Sequence, residues 1–297
     1  TWNKESAFGK EAGAHGGVWE CPDIFPLEYM GKRVWILIVN INPGGPNGGS
    51  ATQYFTGDFD GKTFSPYQTD TGWLDYGPDE YAGVTWSNTG ERKTFLGWMS
   101  NWQYANVVPT KKWRSAMTIP RDLALEKDGV KYIVTSQPVK ELDILDKTSL
   151  NLKDIDATSF GLTAKIGKIS GPVYLKISSD KIKSFSITLS NTLNEKVVVG
   201  YDQSANNYFI DRTKSGKTDF EKDFASKATA PRVSVAKSMN MILVIDDASV
   251  EMFADNGLSV MTAIFFPNEN FSMINIGSSN DFQIKELTFH ALKSIWH

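Results

Sequence analysis

Cysteine is almost missing from this sequence. Cys21 is the only one in 297 residues, so no disulfide can form within the chain. That alone does not assign a reducing compartment, because many exported bacterial enzymes lack disulfides. Histidine is nearly as scarce. His15, His290 and His297 do not lie near one another at a ligand spacing, and a single cysteine gives no zinc pattern. There is no calcium loop of the Asp-x-Asp-x-Asp-Gly type with its terminal Glu. No Gly-x-Ser-x-Gly elbow supports a serine nucleophile. Gly44-Gly45-Pro46-Asn47-Gly48-Gly49 is glycine-rich but has no Lys-Ser/Thr ending, so it reads as a surface loop at the rim of a pocket rather than a phosphate cradle. An excess of one charge is also lacking. With 31 basic and 34 acidic residues the net charge is −3, which gives no electrostatic reason to expect nucleic acid or an anionic membrane as a partner. No apolar run is long enough to cross a bilayer, and no membrane insertion is expected. The chain begins at Thr1 without an initiator Met or signal peptide, and reads as a piece of a longer precursor.

What the sequence does have is strand signal. Hydrophobic residues make up 41%, enough for two modest domains. Aromatics reach 12%, with nine Trp, which serve β-domain cores and also make flat plates for sugar rings. Val34–Val39 is a continuous apolar run, as in a strand covered on both faces, and Thr94–Met99 is similar. Asp60-Gly61 reads as a two-residue hairpin turn. The strands fall into two groups, Trp19 to Phe64 and Tyr81 to about Val134, patterned like two blades of a β-propeller. Pro138–Leu145 suits a short helix and linker. Beyond Leu152 the pattern becomes regular alternation, with Val173, Leu175 and Ile177 pointing one way, as do Phe185, Ile187 and Leu189. Many short strands follow at even spacing, with Asn256-Gly257 as a further hairpin signal. This reads as a β-sandwich.

The residues that could do chemistry are carboxylates. Glu20 lies between Trp19 and Cys21 in a segment that leads into a buried strand. Partial desolvation there would raise its pKa, as a general acid requires. The residues alone favour a solvated or ion-paired strand-edge Glu over a general acid.

Trp19-Glu20-Cys21-Pro22-Asp23 resembles the Glu-Cys-Pro motif of glycoside hydrolase family 32, the invertases, inulinases and levanases. The resemblance continues in order. Asn42 to Ser50 is followed by Gln53-Tyr54-Phe55-Thr56-Gly57-Asp58-Phe59-Asp60-Gly61, then Asp75-Tyr76-Gly77, Asp79 and Tyr81-Ala82. Gly97 to Ala105, Pro109-Thr110, Trp113-Arg114-Ser115 and Pro120-Arg121 come next. Gly200-Tyr201-Asp202, Asp211-Arg212 and Ser249 to Phe253 complete it. The set covers nearly the whole chain and is most similar to bacterial levanases.

The resemblance implies a five-bladed propeller followed by a β-sandwich, and retaining hydrolysis of β-fructofuranosidic bonds in levan, inulin or sucrose, with no cofactor. It implies Glu20 as acid/base and Cys21 as the neighbour that helps set its environment. Trp102 would line the fructose subsite. Asp75, and Asp79 in a variable loop, would belong to the substrate-binding network beside the acid. Trp98 and Trp113 are expected as blade packing, and Glu251 as a sandwich residue without a catalytic role.

The family's nucleophile motif, Trp-Met-Asn-Asp-Pro-Asn-Gly, does not occur, and Arg121-Asp122 is followed by Leu123 rather than by the Pro of the family's Arg-Asp-Pro. The expectation is therefore an all-β chain holding the last two propeller blades in 1–137, a linker with a short helix in 138–150, and the sandwich in 151–297. Such a chain would be inactive alone. Its partners would be a fructan or sucrose, together with either a missing N-terminal propeller part or a second chain that completes the propeller. A bacterial, extracellular or periplasmic location goes with this reading. The alternative is a non-catalytic fragment that binds fructan or another carbohydrate.

Overall fold

The computed structural model describes residues 1–278 and 281–295; His297 lies outside them. The first half builds two antiparallel sheets. The first contains β1 (Val18–Tyr29), β2 (Lys32–Asn42), β3 (Ala51–Phe59), β4 (Phe64–Pro66) and β5 (Gly72–Trp73), with β1 to β4 hydrogen-bonded in chain order and β5 added to β3. The second contains β6 (Tyr81–Thr85), β7 (Thr94–Met99), β8 (Ala116–Met117), β9 (Arg121–Asp128) and β10 (Lys131–Pro138). Its order is β10-β9-β7-β6, with β8 added to β7. Both are four-strand meanders carrying one short extra strand, which matches the two groups read from the sequence.

A 3₁₀ turn at Lys140–Leu145 then leads to β11 (Asp146–Asp156), so the third architectural unit begins inside the stretch expected as a linker. Next come β12 (Ser159–Gly161), the one-turn helix α1 (Thr163–Ile166), β13 (Val173–Ser179), β14 (Phe185–Ser190), β15 (Lys196–Asp202), β16 (Asn207–Lys214) and β17 (Lys227–Pro231). The last strands are β18 (Met239–Asp246), β19 (Ser249–Ala254), β20 (Ser259–Ile264), β21 (Met273–Gly277) and β22 (Gln283–Leu292). They form two six-stranded sheets, β11-β22-β13-β18-β19-β20 and β12-β21-β14-β15-β16-β17, packed as a sandwich. The alternating residues fill its core: Val173, Leu175 and Ile177 from one sheet meet Phe185, Ile187 and Leu189 from the other. Among the described residues no helix is long and apolar enough to cross a membrane.

Why β2 reads as a continuous apolar run is visible in its two faces. Val34, Ile36 and Ile38 join Leu123, Leu125 and Val134 of the second sheet in one core. Trp35 and Leu37 point the other way, onto a cluster with Ile24, Phe55 and Phe59 that residues Phe8, Ala12 and Trp19 partly roof. On that side Ile24, Trp35, Leu37 and Phe59 stay only partly buried.

The hairpins differ from expectation in detail. Asp60-Gly61 is not a two-residue turn, because pairing resumes only at Phe59↔Phe64. Asp60 instead accepts the N–H groups of Lys62 at 2.8 Å and Thr63 at 2.7 Å, which stabilises a four-residue loop. Asn256-Gly257 likewise sits in a four-residue loop between Ala254 and Ser259. Tight two-residue turns occur instead at Met30-Gly31, both at positive φ, between Tyr29 and Lys32, and at Gly129-Val130 and Asp247-Ala248.

Candidate active site

Two β-bulges face each other where the first two sheets meet. On β1 the register runs Glu20↔Asn40 and then Asp23↔Ile38, so one extra residue is accommodated, and Cys21 takes a positive φ of 46°. On β6 it runs Tyr81↔Trp98 and then Val84↔Leu96, again with one extra residue, and Ala82 has a φ of 53°. Bulges free backbone groups from the ladder, and here one buried side chain collects them. The Asn40 amide donates to the Cys21 carbonyl at 3.1 Å and to the Gly83 carbonyl at 3.2 Å. Its oxygen accepts the Gly83 N–H at 3.1 Å and the Thr52 hydroxyl at 2.5 Å. Beyond the bulge, Asp23 accepts both the N–H and the hydroxyl of Thr85, at 2.8 and 2.7 Å. Sequence reading missed Asn40. It lies at the end of an apolar run, and a polar residue there is the signal that could have found it.

These ties bring Glu20 to Tyr81, whose hydroxyl donates to Glu20 Oε2. Burial, and then the carboxylate beside it, push the Tyr81 phenol well above its ordinary pKa, so it remains a donor. The expectation that Glu20 would be partly desolvated is not met: both Glu20 and Cys21 are exposed in the described structure. The bulge turns them away from the strand's buried stretch, which begins only at Phe25.

An aromatic strip leads away from this point. The Tyr81 ring lies 6.3 Å from Trp98, and Trp98 lies 5.0 Å from Trp102. Trp102 is 47% exposed, as a plate for a sugar ring must be. Trp98 is half-buried between the two and belongs to this strip, which is more than the blade packing expected of it. Trp102 sits in the loop after β7, held by its N–H to Ser50 Oγ at 3.0 Å. The adjacent Asn101 anchors that loop to the Pro78 carbonyl at 2.7 Å. Gly49 must be glycine here, because a Cβ would lie 2.0 Å from Asn101 Oδ1 and its φ is +67°. The glycine-rich loop also reaches the sandwich, where Asn47 donates to the Thr229 carbonyl at 2.8 Å and accepts the Thr229 N–H at 3.0 Å.

Asp75 and Asp79 do not join the exposed group. Both are fully enclosed, and each is held by partners from the sandwich as well as from the first half of the chain. Asp75 accepts Arg121 at 2.9 Å, the Thr262 hydroxyl at 2.6 Å and the Thr262 N–H at 2.9 Å. Arg121 in turn donates to Glu251 at 2.5 Å. Asp79 accepts Arg212 and the Ile264 N–H, at 2.7 and 2.9 Å, and the Tyr104 hydroxyl at 2.5 Å. Charges this deep must be paired, and here the pairs join the two halves of the molecule. Neither carboxylate is open to a ligand in this structure. Trp113 also belongs to this junction: it is half exposed, 6.3 Å from Phe266 of the sandwich, and not inside a sheet core.

Between the ion pairs and the exposed acid lies Glu80, which sequence reading did not single out. Its carboxyl is buried and pushed up to about 8, first by desolvation and then by the charge of Asp75, against the pull of Arg121. Thr52 stands alongside, but its one hydroxyl proton goes to Asn40. Gly83 and Gly97 make the room: a Cβ at either would come within 2.8 and 2.3 Å of Glu80 Oε1. The remaining described histidines are structural. His15 stacks on Trp19 at 5.1 Å, and His290 Nδ1 lies 2.6 Å from Asp146.

Two family models divide the chain between them. The glycosyl hydrolases family 32 N-terminal domain matches residues 1–138, and the family 32 C-terminal model matches residues 134–291. A levanase of Bacillus subtilis is 38% identical over 312 residues, covering 99% of this chain and 46% of the relative. An extracellular exo-inulinase of Aspergillus niger is 36% identical over 319 residues, covering 100% of this chain and 58% of the relative. The chain thus spans about half the length of the curated relatives it matches. Among solved structures, the exo-inulinase of Aspergillus awamori superposes with a TM-score of 0.85 at 31% identity, over 97% of this chain and 59% of that one. A fructofuranosidase of Schwanniomyces occidentalis complexed with fructose gives 0.82 at 26% identity, over 95% and 62%. The all-β architecture, two meander sheets and then a sandwich, is consistent with the fold of these proteins. The chain belongs to glycosyl hydrolase family 32.

Proposed function

We propose that the chain is part of a retaining β-fructofuranosidase that hydrolyses fructans, levan or inulin, or sucrose, with Glu20 as general acid/base. The observation that carries this is the placement of an exposed carboxyl at a double bulge, hydrogen-bonded to Tyr81, at one end of an aromatic strip that ends in the exposed Trp102. Glu20 would protonate the leaving oxygen and afterwards activate water. Trp102 would carry the fructosyl ring. Cys21, on the bulge, would fix the direction in which Glu20 points. A retaining mechanism needs a second carboxylate about 5–5.5 Å from the first, as nucleophile. Trp-Met-Asn-Asp-Pro-Asn-Gly is not found in these 297 residues, so in this reading the nucleophile comes from outside them.

In the same reading the two meander sheets, within 1–137, are the last two blades of a five-bladed propeller, and 138–150 leads into the sandwich of 151–297. The half-covered face of Ile24, Trp35, Leu37 and Phe59 supports this, since a closed propeller packs each blade on two neighbours. A missing N-terminal propeller part, or a second chain, would cover it. An extracellular or periplasmic location fits the extracellular inulinases among the relatives.

The test is turnover. The isolated chain, its 33.0 kDa mass verified, is incubated with sucrose, levan and inulin. No fructose release is expected until a segment carrying the nucleophile motif is restored. Turnover by the isolated chain would contradict the placement of the nucleophile, and no turnover by the restored protein would contradict the reading itself.

A further inference from the structure

The sandwich carries a cavity of about 470 Å³ that the proposed active site does not use. It is an open trough on the outer face of the sheet containing β14, β15, β16 and β21, and the described residues lining it all come from the sandwich. Its volume is within the range of about 300–1,000 Å³ typical of small-molecule sites.

The floor of the trough follows from register. Gly277, Ser186, Gly200 and Phe209 stand opposite one another on four neighbouring strands, so a single row of the outer face runs glycine, serine, glycine, phenylalanine. Gly200 is dictated by packing, since a Cβ there would meet a backbone carbonyl at 2.2 Å and the Phe209 ring at 2.9 Å. Gly277 is not dictated by packing. Among the described residues, no atom approaches a Cβ at that position more closely than 3.9 Å, and its φ is not in the left-handed region. A side chain would fit the fold at Gly277 and would fill the trough. Its absence keeps the trough open.

The lining suits one kind of ligand. Phe209 is a half-buried aromatic ring backed by Gly200, and the ammonium of Lys227 lies 4.1 Å from its centroid. Asp202 uses one carboxylate oxygen in its own turn, accepting the N–H and hydroxyl of Ser204 at 2.9 and 2.6 Å. Its other oxygen takes no part in that turn. One cation and one anion cancel, so the trough favours no ionic ligand. A serine hydroxyl, a carboxylate and an ammonium, beside an aromatic ring over which that ammonium lies, together match a neutral polyhydroxylated ring, which offers an apolar C–H surface and several hydroxyl donors and acceptors.

We infer that this trough is a second, non-catalytic saccharide site that holds a fructosyl unit of the polymer away from Glu20. The identity of the sugar rests on the proposed function; the site rests on the trough. A shallow site of this kind binds weakly, with a dissociation constant on the order of 1 mM. Several chain units of a fructan then keep the polymer near the enzyme through high effective concentration.

The test is native affinity electrophoresis of this chain in gels cast with inulin, levan or dextran. The unaltered chain is compared with Gly277→Val, Phe209→Ala and Trp102→Ala. Val suits a strand, and among the described residues a Cβ at 277 meets nothing closer than 3.9 Å, so that variant is expected to keep its fold, which its melting temperature checks. The expected result is retardation by fructan but not by dextran. Gly277→Val and Phe209→Ala should weaken it about 10-fold or more, and Trp102→Ala should leave most of it. Unchanged retardation of Gly277→Val would overturn the proposal, as would equal retardation by dextran. Retardation lost only in Trp102→Ala would also overturn it, yet would leave the reading of the Glu20 site standing.

Discussion

The Tyr81 hydroxyl donates to the Glu20 carboxylate across the junction of two sheets. Each partner stands at a β-bulge, and both bulges are fastened to Asn40. The position of the proposed acid is thus set by a backbone irregularity shared between two separate meanders.

Tyr81→Phe tests that contact. The ring can stay in place against Trp98, so the cost to folding should be only that of one hydrogen bond, about 1 kcal/mol. Fructoside hydrolysis by the restored enzyme should fall about 10-fold, because the carboxyl loses the partner that orients it. The check is kcat alongside melting temperature. Equal losses in both would make Tyr81 a packing residue.

Arg121→Ala should act on the junction with the sandwich. It leaves Asp75 and Glu251 buried without their shared cation. Breaking such a pair costs about 3–5 kcal/mol. Urea unfolding measures it, and a change below about 1 kcal/mol would mean that the pair does not hold the sheets to the sandwich.

These ion pairs mark where the sequence stopped being legible. Alternation over Val173–Ile177 and Phe185–Leu189 specified strand and face at once, because burial on one face of a sheet repeats every second residue. The run Thr94–Met99 even matches the bounds of β7. Glu20 and Trp102 were singled out through the resemblance of their motifs, and in the structure Tyr81 and Trp98 lie between them. Asp75 and Asp79 have the same local look as a ligand-binding carboxylate. What decides their role is Thr262 and Arg212, which lie more than a hundred residues away in sequence. Glu80 was hidden for a related reason. Its local sequence does not tell that Gly97, on the next strand, will leave room for its carboxyl.

Glu80 gives a pH dependence whose sign can be fixed. Its folded-state pKa is raised to about 8 from 4.5, so between these values the folded state holds a proton that the unfolded state has released. Its contribution to stability is full below the unfolded value and is lost as pH rises through about 8. The slope approaches about 1.4 kcal/mol per pH unit in that window. Glu80→Gln, which cannot ionise, should remove this slope. Melting temperatures from pH 5 to pH 9 are the check, and an unchanged slope in the variant would assign the effect to another group.

The central claim is that Glu20 donates the proton to the departing oxygen. The most direct measurement uses the enzyme restored with its nucleophile segment and compares Glu20→Gln with the unaltered protein on two substrates. Sucrose has a leaving group that needs protonation; an aryl fructoside with an acidic phenol does not. The account predicts a loss of about 10²–10⁴-fold on sucrose and a much smaller loss on the aryl fructoside. Equal losses on both substrates would contradict it, and would mean that Glu20 shapes the site without supplying the proton.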